Sequence, residues 1–315
     1  MTRTPHLAMG DGAEFDAIRR LLATWDTAAV GVGDDAAILD VPAGERLVVS
    51  TDATMEHVHF RREWMTPHEI GARAATAALS DLAAMAAAPR GMLLALALPD
   101  TWRAELERLA RGVGAAAAAA GCPIVGGNIT SARELSLTIT VLGSTARPLT
   151  RAAACEGDIV FVTGRLGGAG AALRALLAGR QPLAEHRARF VAPVPRLREA
   201  LWLAERGARA AIDVSDGLLA DAEHLARASG VSLVLDDASI PTLAGITVHD
   251  AIRSGEEYEI LIAAPASAHW DTGEFSRAFG IPLTAIGTVV PQGVTPVILG
   301  DSTAGVSGGH DHLKR

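Results

Sequence analysis

Residues 47–60 read Leu47-Val48-Val49-Ser50-Thr51-Asp52-Ala53-Thr54-Met55-Glu56-His57-Val58-His59-Phe60. The run up to Thr51 is apolar and β-branched like a buried strand, and Asp52 closes it where α/β folds place groups that meet a ligand. The second half of the chain uses the same device. Ala210-Ala211-Ile212 is closed by Asp213, and Asp216 follows just ahead of a helical pattern that starts at Leu218. Two further acids, Asp34 and Asp35, sit in the glycine turn Gly31-Val32-Gly33. Asp81 falls on a helical stripe of Ala74, Ala77, Ala78, Leu82 and Met85, where a lone buried carboxylate would cost several kcal/mol unless paired or bound to a cation. Each acid also has a plainer role open to it: Ser215 or Asp216 as a helix cap, Asp34-Asp35 as a solvated turn, Asp81 as the partner of an arginine such as Arg73. Together they point to a site of oxygen ligands, suited to Mg²⁺ or Mn²⁺ and to a phosphate substrate that shares the ion.

Composition narrows the classes. At 315 residues the chain is long enough for about two domains of ~150 residues. Its 28 basic and 36 acidic residues give a formal charge of −8, the wrong sign for a protein that tracks a phosphate backbone, so nucleic acid is not an expected partner. Cys122 and Cys155 are the only cysteines, too few for a disulfide framework or a thiolate metal site. Residues 1–15 hold no apolar run suited to a signal peptide, and the uncharged stretch Gly112–Asn128 is broken by Gly and Pro and too short to span a bilayer. The expectation is a cytoplasmic protein with no membrane partner. Lys314 is the sole lysine, which excludes a P-loop kinase, a Schiff-base enzyme and a pyridoxal-phosphate enzyme.

Periodicity predicts helices over 14–25, 67–87, 102–120 and 218–229, with strands over 36–41, 46–51, 91–98, 123–126, 135–143, 158–163, 210–214, 232–235, 258–263 and 284–290. Pro67 suits a first helical turn, and Pro89 is expected just past that helix's end. Two domains, 1–148 and 149–315, follow, with the boundary near Pro148–Gly157. The polar, Gly-rich tail from Gly300 is expected to close over a site.

Two other chemistries compete with this reading. His57-Val58-His59 and His310-Asp311-His312 could form a zinc hydrolase site, an extended His-x-His placing both rings on one face. The loop Gly164–Gly170 after a predicted strand suggests a dinucleotide fold, but it is no strict G-x-G-x-x-G and reads as a tight turn able to touch phosphate.

Seven segments in order, Gly31–Ala37, Ser50–Phe60, Leu79–Met85, Gly126–Thr130, Ile212–Leu218, Ser254–Glu259 and Gly309–His312, resemble the thiamine-monophosphate kinases, and the likeness spans nearly the whole chain. The resemblance implies the aminoimidazole ribonucleotide synthetase superfamily and its PurM-like two-domain α/β (α+β) fold. In that fold an N-terminal α/β domain builds a dimeric β-barrel and a C-terminal α+β domain follows. It further implies a homodimer, ATP as co-substrate, several Mg²⁺ or Mn²⁺ ions, and direct transfer of the γ-phosphoryl group to thiamine monophosphate or a similar small phosphate. By motif, Asp35, Ser50, Thr51, Asp52, Asp81, Asn128, Asp213 and Asp216 would be metal ligands. Gly127, Asn128, Arg151 and Ser215 would contact ATP, while His59, Glu256 and His310 would hold the acceptor. Asn128 stands where the family has Asp, Glu257 where it has Asp, His57 where it has Gly, and His310 where it has an aromatic ring. These departures cluster on the acceptor half, so a diverged kinase or ATP-dependent synthetase acting on another phosphorylated or carboxylated acceptor, or a nucleotide-binding protein without turnover, is the alternative.

Overall fold

The computed structural model describes His6 and residues 11–300. Helix α1 (Ala13–Trp25) precedes β1 (Arg46–Met55), α2 (Pro67–Ala84), β2 (Ala88–Leu98), α3 (Leu106–Ala119), β3 (Ile124–Ser131) and β4 (Ser136–Thr145). Strand β5 (Asp158–Thr163) leads into α4 (Gly168–Leu177), α5 (Ala184–Val191), α6 (Leu197–Glu205), β6 (Ala210–Asp213), α7 (Leu218–Ser229) and β7 (Val231–Leu235). The described chain ends with α8 (Val248–Ala251), β8 (Ile260–Pro265), α9 (Thr272–Phe279), β9 (Leu283–Pro291) and β10 (Val297–Leu299). The described residues fall into two compact units, one drawn from 6–82 and 87–146 and the other from 83–86 and 147–300.

The first unit holds a four-stranded sheet in the order β1-β4-β2-β3, antiparallel except for the parallel pair β2 and β3. One face is dry: Leu137, Ile139 and Val141 of β4 and Met92, Leu94 and Leu96 of β2 are buried with Ala74, Leu79 and Leu82 of α2. Helices α2 and α3 pack backbone to backbone. A Cβ at Gly71 would lie 2.2 Å from the Leu109 carbonyl oxygen, and one at Gly112 would lie 2.0 Å from that of His68. Trp25 ties α1 to α3 by donating Nε1–H to the Ala110 carbonyl at 2.9 Å.

Pro89 is not a helix stop but the second residue of β2, at a register shift between Pro89 and Gly91 where the ladder does not need its missing N–H. The predicted strand over 36–41 does not form: the segment has no ladder partner among the described residues and Ile38 is 94% exposed.

In the second unit six strands order as β10-β7-β9-β5-β8-β6, with only β10 and β7 parallel. Strand β8 is buried from Ile260 to Ala264, which accounts for its unbroken apolar run. Asp213 ends β6 at the edge of this sheet.

Candidate functional site

Strand β1 runs three residues past Asp52, because its ladder with β4 continues to the pair Met55–Ser136. Asp52 is therefore within the strand, opposite Ile139, and not at its end. Side chains alternate along a strand, so Ser50 and Asp52 share one face and Thr51 takes the other. Ser50 Oγ donates to Asp81 Oδ2 at 2.5 Å, which brings the acid of α2 onto the face that carries Asp52. Asp81 is thus half-buried and hydrogen-bonded, while Arg73 donates to the His59 carbonyl at 3.4 Å. Thr51 Oγ1 lies 3.1 Å from Thr140 Oγ1 on the exposed face.

His57 and His59 occupy a turn after β1, with His57 at φ 66° and the His59 Nδ1 accepting the Met55 N–H at 3.1 Å. They are not an extended pair with both rings on one face. Among the described residues no three or more His, Cys, Asp or Glu side chains surround a common point. His310 and His312, the partners the zinc reading requires, lie outside the described residues, as does the tail beyond Gly300.

A cleft of about 700 Å³ opens in the first unit, within the range of small-molecule sites. Asp34, Asp35, Gly127 and Asn128 line it, so the glycine turn and the Gly126-Gly127-Asn128 segment, at least 91 residues apart in sequence, meet at one cavity with apolar walls from Trp25 and Leu93. Gly127 belongs to β3 and packs so tightly on β2 that a Cβ there would sit 2.0 Å from the Leu94 carbonyl oxygen. Asp34 and Asp35 are exposed, and Asp34 Oδ1 accepts the Asp35 N–H at 2.9 Å, the local bond expected of a solvated turn.

The second unit gathers Asp213, Ser215, Asp216 and Glu256. Neither Ser215 nor Asp216 caps α7; Gly217, at φ 112°, holds that position. The amides of Ser215, Asp216 and Gly217 donate instead to Oδ2 of Asp221, at 3.0, 3.1 and 3.1 Å. Sequence reading missed Asp221, although an acid in the first turn of a predicted helix was the available signal. Burial, then the neighbouring charges of Asp213 and Asp216, push its carboxyl up to about 8. On the other side of the loop Glu256, at φ 59°, donates its N–H to the Ser215 carbonyl at 2.7 Å. The exposed Arg151 accepts a hydrogen bond from Ser229 Oγ through its carbonyl at 2.6 Å.

Glu257 points away from solvent. Its Oε1 accepts the N–H groups of Gly167 and Ala169 at 2.9 and 3.0 Å, and Ser254 Oγ at 2.5 Å, so the Gly-rich start of α4 is already filled by a carboxylate and is not a phosphate cradle. Burial raises the carboxyl of Glu257 against the lowering effect of these donors. Glu259 was also missed. It is fully buried, takes Arg196 Nε and Nη2 at 2.8 and 2.7 Å, Arg189 Nη2 at 2.5 Å and Thr163 Oγ1 at 2.7 Å. Burial opposes its ionisation, but Arg196, with Arg189 and Thr163 behind it, outweighs that and holds the carboxyl below its ordinary value.

Carboxylate oxygens such as those of Asp213 and Asp216 are hard donors of the kind a divalent cation takes, while Asp221 spends its Oδ2 on three amides and no three such side chains among the described residues surround a common point.

The chain matches the family models for the AIR synthase related protein N-terminal domain over residues 33–145 and C-terminal domain over residues 156–299. The thiamine-monophosphate kinase of Mycobacterium tuberculosis (strain H37Rv) is 34% identical over 288 residues, 86% of either chain. The crystal structure of thiamine-monophosphate kinase from Stenotrophomonas maltophilia K279a superposes with a TM-score of 0.82 at 35% identity, covering 93% of this chain and 98% of that one. The structure of AaThiL complexed with AMPPCP and TMP gives a TM-score of 0.78 at 28% identity, covering 95% of this chain and 97% of that one.

Proposed function

The chain belongs to the thiamine-monophosphate kinase family, and from that premise we propose that it is an ATP-dependent kinase that phosphorylates thiamine monophosphate to thiamine diphosphate. The observation that carries the reading furthest is the Ser50–Asp81 hydrogen bond, which joins two separate family-like segments on the face that carries Asp52. In this reading Asp35, Ser50, Thr51, Asp52, Asp81, Asn128, Asp213 and Asp216 hold Mg²⁺, and Gly127, Asn128, Arg151 and Ser215 bind ATP. His59, Glu256 and His310 receive the acceptor. Bound Mg²⁺ would neutralise the phosphate oxygens as charge redistributes in the transition state. The protein's own work is to orient two polyanions for in-line transfer. It needs no general base, because the acceptor phosphate is already an anionic nucleophile. Asn128 retains a carbonyl oxygen where the family's Asp would supply a charge. Glu257 is turned into the α4 start, so its extra methylene leaves the acceptor side untouched.

Assembly belongs to the same reading. Leu47 and Val49 of edge strand β1 are 50% and 55% exposed, so a face of the first sheet is left apolar and open. A cytoplasmic homodimer that covers it is the proposed state. Light scattering should give twice the 32.5 kDa chain mass, with Val49→Asp shifting it to monomer; a parent that is monomeric at micromolar concentration refutes the dimer.

The deciding experiment incubates the protein with Mg-ATP and thiamine monophosphate and separates products by chromatography. Thiamine diphosphate and ADP in equal amounts are expected, and Asp52→Asn should lower turnover by roughly 10²-fold, the scale of one preorganised electrostatic group. ADP formed only with a different phosphorylated or carboxylated acceptor would replace the substrate assignment. Unchanged turnover in Asp52→Asn would remove the metal-ligand role.

A further inference from the structure

The loop between β6 and α7 belongs to neither element, so its main-chain polar groups need partners from outside the sheet and helix ladders. They find them on two sides. On one side, Val214 donates to the Glu259 carbonyl at 2.7 Å, Tyr258 donates to the Val214 carbonyl at 2.9 Å, and Glu256 donates to the Ser215 carbonyl at 2.7 Å. Glu256 and Tyr258 hold left-handed backbone at φ 59° and 53° to make these bonds, and a Cβ at Gly255 would come within 2.8 Å of the Ser215 oxygen. Two non-glycine residues in that region are strained, and such strain persists only where the surroundings over-determine it. On the other side stands Asp221 alone, 2% exposed, with Oδ2 gathering three consecutive amides.

We propose that Asp221 is a positioning residue for the phosphoryl transfer: by drawing the amides of Ser215, Asp216 and Gly217 onto one oxygen it fixes the loop shape that presents Asp213 and Asp216 to the cation and Ser215 to the nucleotide. The proposal rests on the kinase reading above. Helix capping alone does not explain the residue. A neutral Ser or Asn satisfies an N-terminal turn, and neither would set a third carboxyl beside Asp213 and Asp216. Neither side chain is needed at three amides unless the loop itself must be held. Asp221 also reaches past the start of α7 to residues that are not helical, so what it orders is the loop and not the helix.

The test compares the parent with Asp221→Asn, which keeps an accepting oxygen at the same reach, and with Asp221→Ala and Asp221→Ser, which do not. Assays run well below each variant's own Tm, so a folding defect and a positioning defect separate. Asp221→Ala and Asp221→Ser are expected to lose about 10²-fold in kcat/KM for Mg-ATP, the scale of a ~1 Å misplacement, and to need more Mg²⁺ for half-saturation. Asp221→Asn should recover to within about tenfold of the parent. Amide hydrogen exchange at 215–217 should speed up in the first two variants and stay near parental in the third. A lowered Tm with kcat/KM and Mg²⁺ half-saturation within about twofold of the parent overturns the proposal, as does an Asn variant as impaired as the Ala variant. If Ala and Ser both fail to fold, parental exchange and activity in the Asn variant support the proposal and their loss refutes it. A parent without turnover would end the kinase reading, and exchange at 215–217 would still decide whether Asp221 orders the loop.

Discussion

Glu259→Gln offers the sharpest check on how the second unit holds its loop. The native carboxylate is fully buried and neutralises Arg196 through two bonds of 2.7 and 2.8 Å, with Arg189 and Thr163 as further donors. Gln keeps the shape and one acceptor but removes the closer counter-charge of a buried guanidinium, leaving Arg196 only Glu199 Oε1 at 3.6 Å. Breaking one side of such a pair costs about 3–5 kcal/mol, most of it the stranded charge. For a unit of this size, ~2–4 °C of Tm per kcal/mol converts that to a fall of about 6–20 °C by calorimetry at pH 7. The effect should depend on pH with a definite sign. Because the folded carboxyl lies below its ordinary value, its stabilisation is present above the unfolded glutamate value of about 4.3 and is lost as pH falls through the folded one. The Tm gap between parent and variant should therefore narrow in acid. A gap under about 2 °C at pH 7, or one that widens as pH falls, would refute the assignment of Glu259 as an ionised anchor.

Gly127→Ala forces a Cβ to within 2.0 Å of the Leu94 oxygen, so β2 and β3 must part next to Asn128. The Kd for ATP by calorimetry should rise at least about tenfold alongside an overpacking penalty of ~1–3 kcal/mol, and an unchanged Kd would take Gly127 out of the nucleotide cleft. The two thiols should behave differently: burial pushes Cys122 up to about 12, whereas Cys155 is exposed. A disulfide reagent at pH 8 should therefore titrate one thiol per native chain and two in guanidinium, and two rapid equivalents in the native state would contradict the burial of Cys122.

What could be read from sequence followed from local pattern. Helix 218–229 and strand 158–163 match their predicted bounds because punctuation and periodicity agree there. What could not be read was set by partners far along the chain. Asp52 reads as a strand end, yet β4 supplies a ladder as far as Met55. The stretch 36–41 has strand-like residues but no strand to pair with among the described residues. Helices α5, α6 and α9 were not anticipated; α5 and α9 are only 8 residues long, too short for a clear period. The apolar helical stripe around it singled out Asp81, but only the fold reveals that Ser50 meets it. Asp221, Glu257 and Glu259 carry no local mark of burial, and their roles depend on amides and guanidinium groups 4 to 90 residues away.

Strand β1 is ruled in twos. Ser50 and Asp52 look one way, toward Asp81, while Leu47, Val49 and Thr51 look the other, onto the open apolar face. Inserting or deleting one residue ahead of Ser50 would turn the strand inside out, placing leucine and valine against the acid of α2 and the hydroxyl and carboxylate on the greasy side. A point substitution can damage one face and spare the other; a single-codon frame-preserving indel cannot. The length of this segment is thus a stricter inheritance than most of its letters, and in a library of one-residue insertions across the chain, residues 46–50 should stand out as a gap among the survivors.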